Sequence, residues 1–182
     1  MTVSVFEPIL PANERQTFYT NLPSSSFALA MCVCANKSDQ AVLIVAPSAL
    51  EASMLKVWCG FFEPQLPCFI FPAWETLAYD HFSPHQAIIS ERLLTLNRLP
   101  QLSHGIVIAS VNTLLQRVAP TDYLAGEVFD LKCGDRFVID AMRQRLTQGG
   151  YHSVAQVALP GEFAVRGELF DVFPMGANAP FR

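Results

Sequence analysis

Continuous apolar runs alternate with amphipathic stretches over the first 120 residues of the chain. The run Ala41–Ala46 has the length and the β-branched content of a buried parallel strand, and the runs at 68–71 and 106–109 are similar. The segments around these runs have helical periodicity, and they predict helices over about 12–20, 25–36, 49–62, 84–98 and 111–118. Because strands that alternate with helices form parallel sheets covered by helices, we predict an α/β fold.

Capping signals predict where three of these helices begin. Ser48 with Glu51 forms a capping box, and Ser110 can cap the last helix. Ser83 and Pro84 have the residue types of an N-cap and a first helical position, with Gln86 at the third position. The predicted packing faces are Leu50, Met54, Val57 and Phe61 in one helix and Ile89, Leu93 and Leu96 in the next.

The pattern changes after Pro120. It predicts a strand over 128–133, a turn at Gly134, a helix from Asp140 to Gly149, and strands over 152–158 and 162–173, the second broken at Gly167. Residues 121–182 also carry as many Asp, Glu, Lys and Arg residues as the first 120. We therefore predict two domains, an α/β domain over 1–120 and a small α+β module over 121–182.

Composition limits the possible functions. The 182 residues are 51% hydrophobic and 15% charged, with a net charge of −4, so the chain is globular and has no basic surface for DNA. The five cysteines include no C-x-x-C, which predicts reduced thiols and no metal site, with Cys32 and Cys34 as the weak alternative. No segment has the pattern of a signal peptide or a membrane span, so a cytoplasmic location is expected.

Four stretches of the chain together resemble one protein family. Residues 71–99 contain W-E-T-L-x-Y-D-x-F-S-P-H-Q, and the other three are AVLIVAP at 41–47, VIASVNTLLQRVAP at 107–120 and GEFAVRGELFDVFPMG at 161–176. They resemble the UvrB-like N-terminal region of bacterial transcription-repair coupling factors (Mfd) and, more distantly, the first domain of the repair helicase UvrB. The resemblance covers about residues 27–182 and implies an incomplete RecA/UvrB-like parallel sheet in the first domain, followed by the α+β module.

Because of this resemblance, the absence of an ATP-binding loop from the sequence is informative. RecA-type domains hold ATP on a G-x-x-x-x-G-K-[ST] loop, whose glycines let backbone N–H groups approach the phosphates. The corresponding segment here is Leu22–Ala28, without glycine or lysine, and all nine glycines lie at Gly60 or later. We therefore expect no catalytic residue and no cofactor in this chain. ATP and Mg²⁺ are expected only in motor domains of a longer parent protein, since the chain resembles a fragment that stops at Arg182.

A partner site is the best functional candidate. At the strand break, Gly167 permits a turn, and Arg166 is expected to point outward because Phe163 and Val165 face the core. From the residues alone, Arg166 is equally well explained as a surface arginine paired with Glu168 or Asp171. In the family resembled, this module docks the damage sensor UvrA, which implies roles for Arg166, Gly167 and Arg182. The prediction is a non-catalytic adaptor that recruits UvrA to stalled RNA polymerase, with polymerase and DNA contacted only by absent domains.

Two alternatives stay open at this point. The chain could be a nucleotide-binding α/β enzyme with a non-standard phosphate site, in which Ser24–Ser26 at a helix start would bind the anion. The aromatic side chains Trp74, Tyr79 and Phe82 would then stack a base. Alternatively, these aromatics simply pack over the open end of the sheet, since aromatic rings contribute large apolar burial wherever they pack.

Overall fold

The computed structural model describes residues 6–8, 16, 18–76, 81, 83–120, 134–136 and 138–182. By its internal contacts the chain divides into two compact units. Unit 1 comprises residues 1–73 and 98–117, and unit 2 comprises residues 74–97 and 118–182. The predicted α/β fold is confirmed, since unit 1 holds a parallel sheet and unit 2 a mixed sheet.

The sheet of unit 1 is parallel throughout. Its strands are β1 (Val42–Ala46), β2 (Cys68–Phe71) and β3 (Ile106–Ser110), in the order β1-β3-β2. All five residues of the central strand β3 are buried, as expected for a strand paired on both sides. In β1 only one face is buried, because Leu43 and Val45 are exposed. The prediction of a fully buried strand is therefore right for β3 and wrong for β1.

Helices α1 (Ser24–Lys37) and α2 (Ala49–Phe62) share one core with this sheet. Small buried side chains let the two helices approach each other and the strands closely. The predicted start of α2 is confirmed, since the Ser48 hydroxyl accepts the N–H of Glu51 at 3.2 Å. The buried members of this core are Ala28, Cys32, Ala35, Ile44, Ala46, Ala52, Leu55, Cys59, Leu66, Ile106 and Ile108.

The face of α2 that packs is not the predicted one. Leu50, Val57 and Phe61 are 71%, 71% and 72% exposed, and Met54 is 45% exposed. The buried residues of α2 are Ala52, Leu55 and Cys59. Because α2 is apolar on most of its circumference, its periodicity fits two faces, and the smaller side chains pack more closely against the sheet.

Other predicted helix bounds need correction. Residues 12–15 and 17 lie outside the described residues, and residues 16 and 18–20 are not helical, so the helix over 12–20 is not observed. Ser110 does cap the helix that follows β3, but this helix, α4, is only Val111–Leu114. Its single turn ends four residues before the predicted end at 118.

Helix α3 (Gln86–Arg98) belongs to unit 2 for almost its whole length. It begins later than predicted, because the His85 imidazole Nδ1 accepts the N–H of Ala87 at 3.2 Å and takes the capping role expected of Ser83. The predicted apolar face, Ile89, Leu93 and Leu96, is only half-buried. The buried side chains are polar instead, namely Ser90, Arg92 and Thr95.

The other described residues of unit 2 form a three-stranded sheet and one further helix. Helix α5 (Ile139–Gln148) ends at Gly149 as predicted, and the strands are β4 (His152–Ser153), β5 (Glu162–Arg166) and β6 (Leu169–Phe173). Strand β5 is parallel to β4 and antiparallel to β6. The predicted strand over 162–173 is therefore a hairpin, and the one over 152–158 is shorter. Among the described residues, the buried core of this unit includes Met142, Leu146, Phe163 and Val172.

Two predictions about organisation stay predictions. The strand over 128–133 and the domain boundary near Pro120 involve residues 121–133, which lie outside the described residues. The sequence did not indicate, however, which segments of the chain make up each compact unit. Residues 74–97, which include most of α3, join unit 2, although they lie between β2 and β3 in the chain.

Candidate partner-binding site

The hairpin between β5 and β6 determines where Arg166 lies. Arg166 pairs with Leu169 in the antiparallel register, which leaves Gly167 and Glu168 as a two-residue loop. Gly167 has a φ of +61°, and a left-handed φ at the first loop residue is the glycine position of a type II′ hairpin turn. Gly167 thus has the turn role that its place in the sequence predicted.

Arg166 contacts a carboxylate on the neighbouring strand. Its Nη2 donates to Asp171 Oδ2 at 2.7 Å, and the side chains of Arg166 and Asp171 are 53% and 11% exposed. Asp171 lies opposite Ala164, so Arg166 is its diagonal neighbour on the same face of the sheet. Phe163 and Val172, which are paired with each other, face the core on the other side. Of the local partners considered for Arg166, the structure therefore selects Asp171.

Arg182 reaches the same carboxylate from the other side of β6. Val172 and Phe181 form an antiparallel bridge, and their backbone N–H and C=O groups exchange two hydrogen bonds of 2.9 and 2.8 Å. This register places Arg182 opposite Asp171. Arg182 donates from Nε to Oδ1 at 2.7 Å and from Nη2 to Oδ2 at 3.1 Å, which is a two-point contact. Arg166, Asp171 and Arg182 together are called the Asp171 cluster below.

The electrostatics of the Asp171 cluster favour the ionised state. Hydrogen bonding to Arg182, and then to Arg166, lowers the pKa of the Asp171 carboxyl to about 2. The Asp171 carboxylate in turn raises the pKa of Arg182. Two guanidinium groups and one carboxylate leave the cluster with a net positive charge on an outer face of the sheet.

The segment that carries Arg182 is fixed by contacts that the sequence did not indicate. The Tyr151 hydroxyl accepts the N–H of Met175 at 3.0 Å, and the Ser90 hydroxyl of α3 accepts the N–H of Gly176 at 2.6 Å. Gly176 has a φ of +82°, and a Cβ there would lie 2.7 Å from Leu94 Cδ1. The glycine is required on both counts. The turn-forming run Pro174–Met175–Gly176 was the only local signal for this anchor.

Unit 1 contains a cavity of about 550 Å³ at the start of α1. Ser24, one of the serines considered for anion binding, lines it together with Asn21 and Glu51. Among the described residues that line it there is no lysine, arginine or histidine, and the one charged residue of that set, Glu51, would repel a phosphate. The other lining residues are Phe18, Tyr19, Leu22, Phe27, Val45, Ala46, Pro47, Met54 and Leu55.

The aromatic loop can be assessed at one residue. Trp74 is half-buried, and the guanidinium carbon of Arg92 lies 4.2 Å from its ring centroid. Burial lowers the pKa of Arg92, so this cation–π contact is made by a largely desolvated charge. The geometry at Trp74 fits packing within unit 2. Tyr79 and Phe82 lie outside the described residues.

The four cysteines that the structure describes form no recognisable ligand set. Cys32, Cys34 and Cys59 are buried and Cys68 is half-buried, and burial raises the pKa of the Cys34 thiol. In the described ranges, no three His, Cys, Asp or Glu side chains form a group that could hold a metal ion. Nor is any helix of that part of the chain long and apolar enough to cross a membrane.

Comparison with known proteins identifies the class first. Residues 129–182 match the family model of the UvrB interaction domain, and Arg166, Gly167 and Arg182 all lie inside this match. This stretch of unit 2 is thus similar to the UvrB interaction domain.

The particular proteins that the chain resembles are transcription-repair-coupling factors. It is 41% identical to that of Haemophilus influenzae over 100% of this chain and 16% of that protein. It is 41% identical to that of Escherichia coli K12 over 92% of this chain and 14% of that protein. It is 36% identical to that of Mycobacterium bovis over 62% of this chain and 10% of that protein. The resemblance to the UvrB-like N-terminal region of these factors is confirmed, and the chain spans only a small part of their length.

Proposed function

We propose that this chain is a non-catalytic adaptor in transcription-coupled DNA repair, and that unit 2 recruits UvrA. The observation that carries the proposal is the placement of Arg166 and Arg182. Both are more than half exposed, and both are held on Asp171 within the residues that match the UvrB interaction domain. Arginine is enriched at interaction hot spots because its planar guanidinium makes several directed hydrogen bonds.

The wider function belongs to the same proposal. In a longer protein of the kind that the relatives represent, other domains would bind stalled RNA polymerase and move along DNA with ATP and Mg²⁺. This chain would then contribute recruitment only, without a cofactor of its own, and it would act in the cytoplasm. The net charge of −4 supports this division, because it gives the chain no electrostatic attraction to DNA.

The proposal is tested by measuring the binding of the purified chain to UvrA at physiological salt. We expect a Kd of about 1 μM or lower, which corresponds to roughly −8 kcal/mol or better. Arg166→Glu and Arg182→Glu should each weaken binding at least about tenfold, because they reverse a charge at a hot spot. The matched control is Arg143→Glu, which reverses an exposed arginine on α5. Equal effects of all three variants would contradict the site.

The nucleotide-binding alternative rests on the cavity in unit 1, whose volume of about 550 Å³ is in the usual range for small-molecule sites. Glu51 disfavours it for phosphates, and none of the described lining residues is basic. Titration calorimetry with ATP and ADP separates the two functions. The adaptor predicts no binding heat, whereas micromolar binding that is lost on Ser24→Glu would favour the nucleotide site.

A further inference from the structure

Asp171 is the least exposed member of its cluster and the one that both arginines share. Its side chain is 11% exposed, whereas those of Arg166 and Arg182 are 53% and 62% exposed. Both carboxylate oxygens are used, Oδ1 by Arg182 and Oδ2 by both arginines. A residue so covered has little surface with which to contact a partner, but it controls the two side chains that have such a surface.

The arrangement defines the orientation of the guanidinium groups. Arg182 presents its Nε–Nη2 edge to Asp171, and Arg166 presents Nη2. A guanidinium has five N–H donors, so Nη1 of both arginines and Nε of Arg166 are still available to a partner. Long arginine side chains lose rotamer freedom on binding unless they are already ordered, and ordering before binding reduces this cost.

Backbone pairing on both sides of β6 supports this arrangement of the two arginines around Asp171. Asp171 lies in the middle strand of a short three-strand arrangement, with β5 on one side and the Val172–Phe181 bridge on the other. The two arginines therefore approach one carboxylate from opposite directions, although they are separated by the hairpin loop and by the segment after β6. Without Asp171, two like charges would face each other across β6 and would separate.

We infer that Asp171 is a positioning residue, which fixes the spacing and orientation of Arg166 and Arg182 for a partner surface that carries carboxylate side chains. The inference rests on the proposed function and adds to it the chemistry of the partner. Carboxylates match the planar edges of guanidinium groups in two-point contacts. The net positive charge of the cluster is complementary to such an acidic surface.

A competing role for Asp171 predicts the opposite effect of Asp171→Asn on the binding affinity. If Asp171 only neutralised the arginines, then Asp171→Asn would add net positive charge and strengthen binding to an acidic surface. If it positions them, Asp171→Asn weakens binding although the charge is more favourable. Asparagine keeps the shape of the side chain, so the substitution removes mainly the charge and the second acceptor oxygen.

The experiment measures UvrA binding by the wild-type chain, by Asp171→Asn and by Arg182→Lys. We expect each variant to weaken binding about tenfold or more, with a thermal transition that shows an intact fold. Arg182→Lys keeps the charge but cannot make the two-point contact, so it tests the geometry without altering Asp171. Unchanged or tighter binding by both variants would overturn the inference.

A comparison with a triple variant and a measurement on the free protein separate a positioning role of Asp171 from a role in folding only. In a chain that already carries Arg166→Ala and Arg182→Ala, Asp171→Asn should cause no further loss of binding. In the unbound chain, the Arg182 Nε–H signal in ¹⁵N relaxation should show an ordered side chain, and the order should be lost in Asp171→Asn. An additional loss of binding in the first test, or unchanged order in the second, would refute positioning.

The two proposals fail in different ways. If the wild-type chain does not bind UvrA, the proposed function fails, and the inference about its site fails with it. If the wild-type chain binds, and Arg166→Glu abolishes binding while Asp171→Asn and Arg182→Lys do not, only the positioning role is refuted.

Discussion

At the scale of single residues, the Asp171 cluster is both a local ion pair and the interaction site that we propose. Sequence reasoning treated a paired Arg166 and a partner-binding Arg166 as alternatives. In the structure the pairing uses one donor of Arg166 and leaves its side chain half exposed. An arginine held in this way is oriented rather than removed from the surface, so the two interpretations are compatible.

The lowered pKa of Asp171 predicts a particular pH dependence of stability. Because its pKa falls from 3.8 to about 2 on folding, the carboxylate stabilises the folded state above pH 3.8, and this contribution is lost as the pH falls through about 2. Asp171→Asn cannot titrate at this position. We therefore expect the difference in Tm between the wild-type chain and Asp171→Asn to be largest above pH 3.8 and to shrink toward pH 2. A difference that is constant over this range, measured by thermal unfolding, would contradict the assignment.

At the scale of elements, helix faces were harder to predict than helix positions. The strands β2 and β3 and the helices α1, α2 and α5 lie within a few residues of their predicted bounds. The buried face of α2 was wrong because an almost uniformly apolar helix gives no unique stripe, and only the neighbouring sheet selects one. Helix α3 has a clear apolar stripe, but the side chains that it buries are polar. Ser90 and Arg92 are buried because they have partners that no local sequence pattern indicates.

Some features of the candidate site follow from neighbouring residues in the sequence, and others depend on residues that are far apart. The turn at Gly167 and the outward position of Arg166 could be predicted because a strand break with glycine is a local signal. The pairing of Arg182 with Asp171 could not, since it depends on a backbone bridge between Val172 and Phe181 that closes a loop. The anchor provided by Ser90 was still less accessible, because it lies 86 residues from Gly176 in the sequence.

The corrected face of α2 can be tested with two substitutions of the same kind. Leu55→Ala removes a side chain that is 5% exposed and should lower the free energy of unfolding by about 2–5 kcal/mol, because it leaves a cavity in the core. Val57→Ala alters a side chain that is 71% exposed and should change it by no more than about 0.5 kcal/mol. Denaturant unfolding measures both. A larger loss of unfolding free energy for Val57→Ala than for Leu55→Ala would instead support the packing face predicted from the sequence.

At the scale of the whole molecule, chain order and compact units do not coincide. The chain passes between the units at 73–74, 97–98 and 117–118. The region that matches the UvrB interaction domain, residues 129–182, therefore lacks the helix that holds its own segment through Ser90. A fragment limited to this match would be without that anchor.

The anchor is tested in the full chain by Ser90→Ala. The N–H of Gly176 would lose its acceptor in a partly buried position, which should cost about 1–3 kcal/mol of unfolding free energy. Ser103→Ala, at an exposed serine of unit 1, is the control and should be close to neutral. Equal Tm values for the two variants would show that the hydrogen bond from α3 contributes nothing.

The separation of Ser90 from Gly176 in the sequence also affects when the two residues can pair during synthesis. At roughly 5–20 residues per second, the 86 residues between them take about 4–17 s to synthesise, so α3 leaves the ribosome long before its partner exists. During that delay the Ser90 hydroxyl has no Gly176 N–H to accept. Arg182 emerges later still, and the Phe181 bridge that carries it can close only then. A nascent chain therefore cannot hold both arginines on Asp171 until Arg182 has emerged.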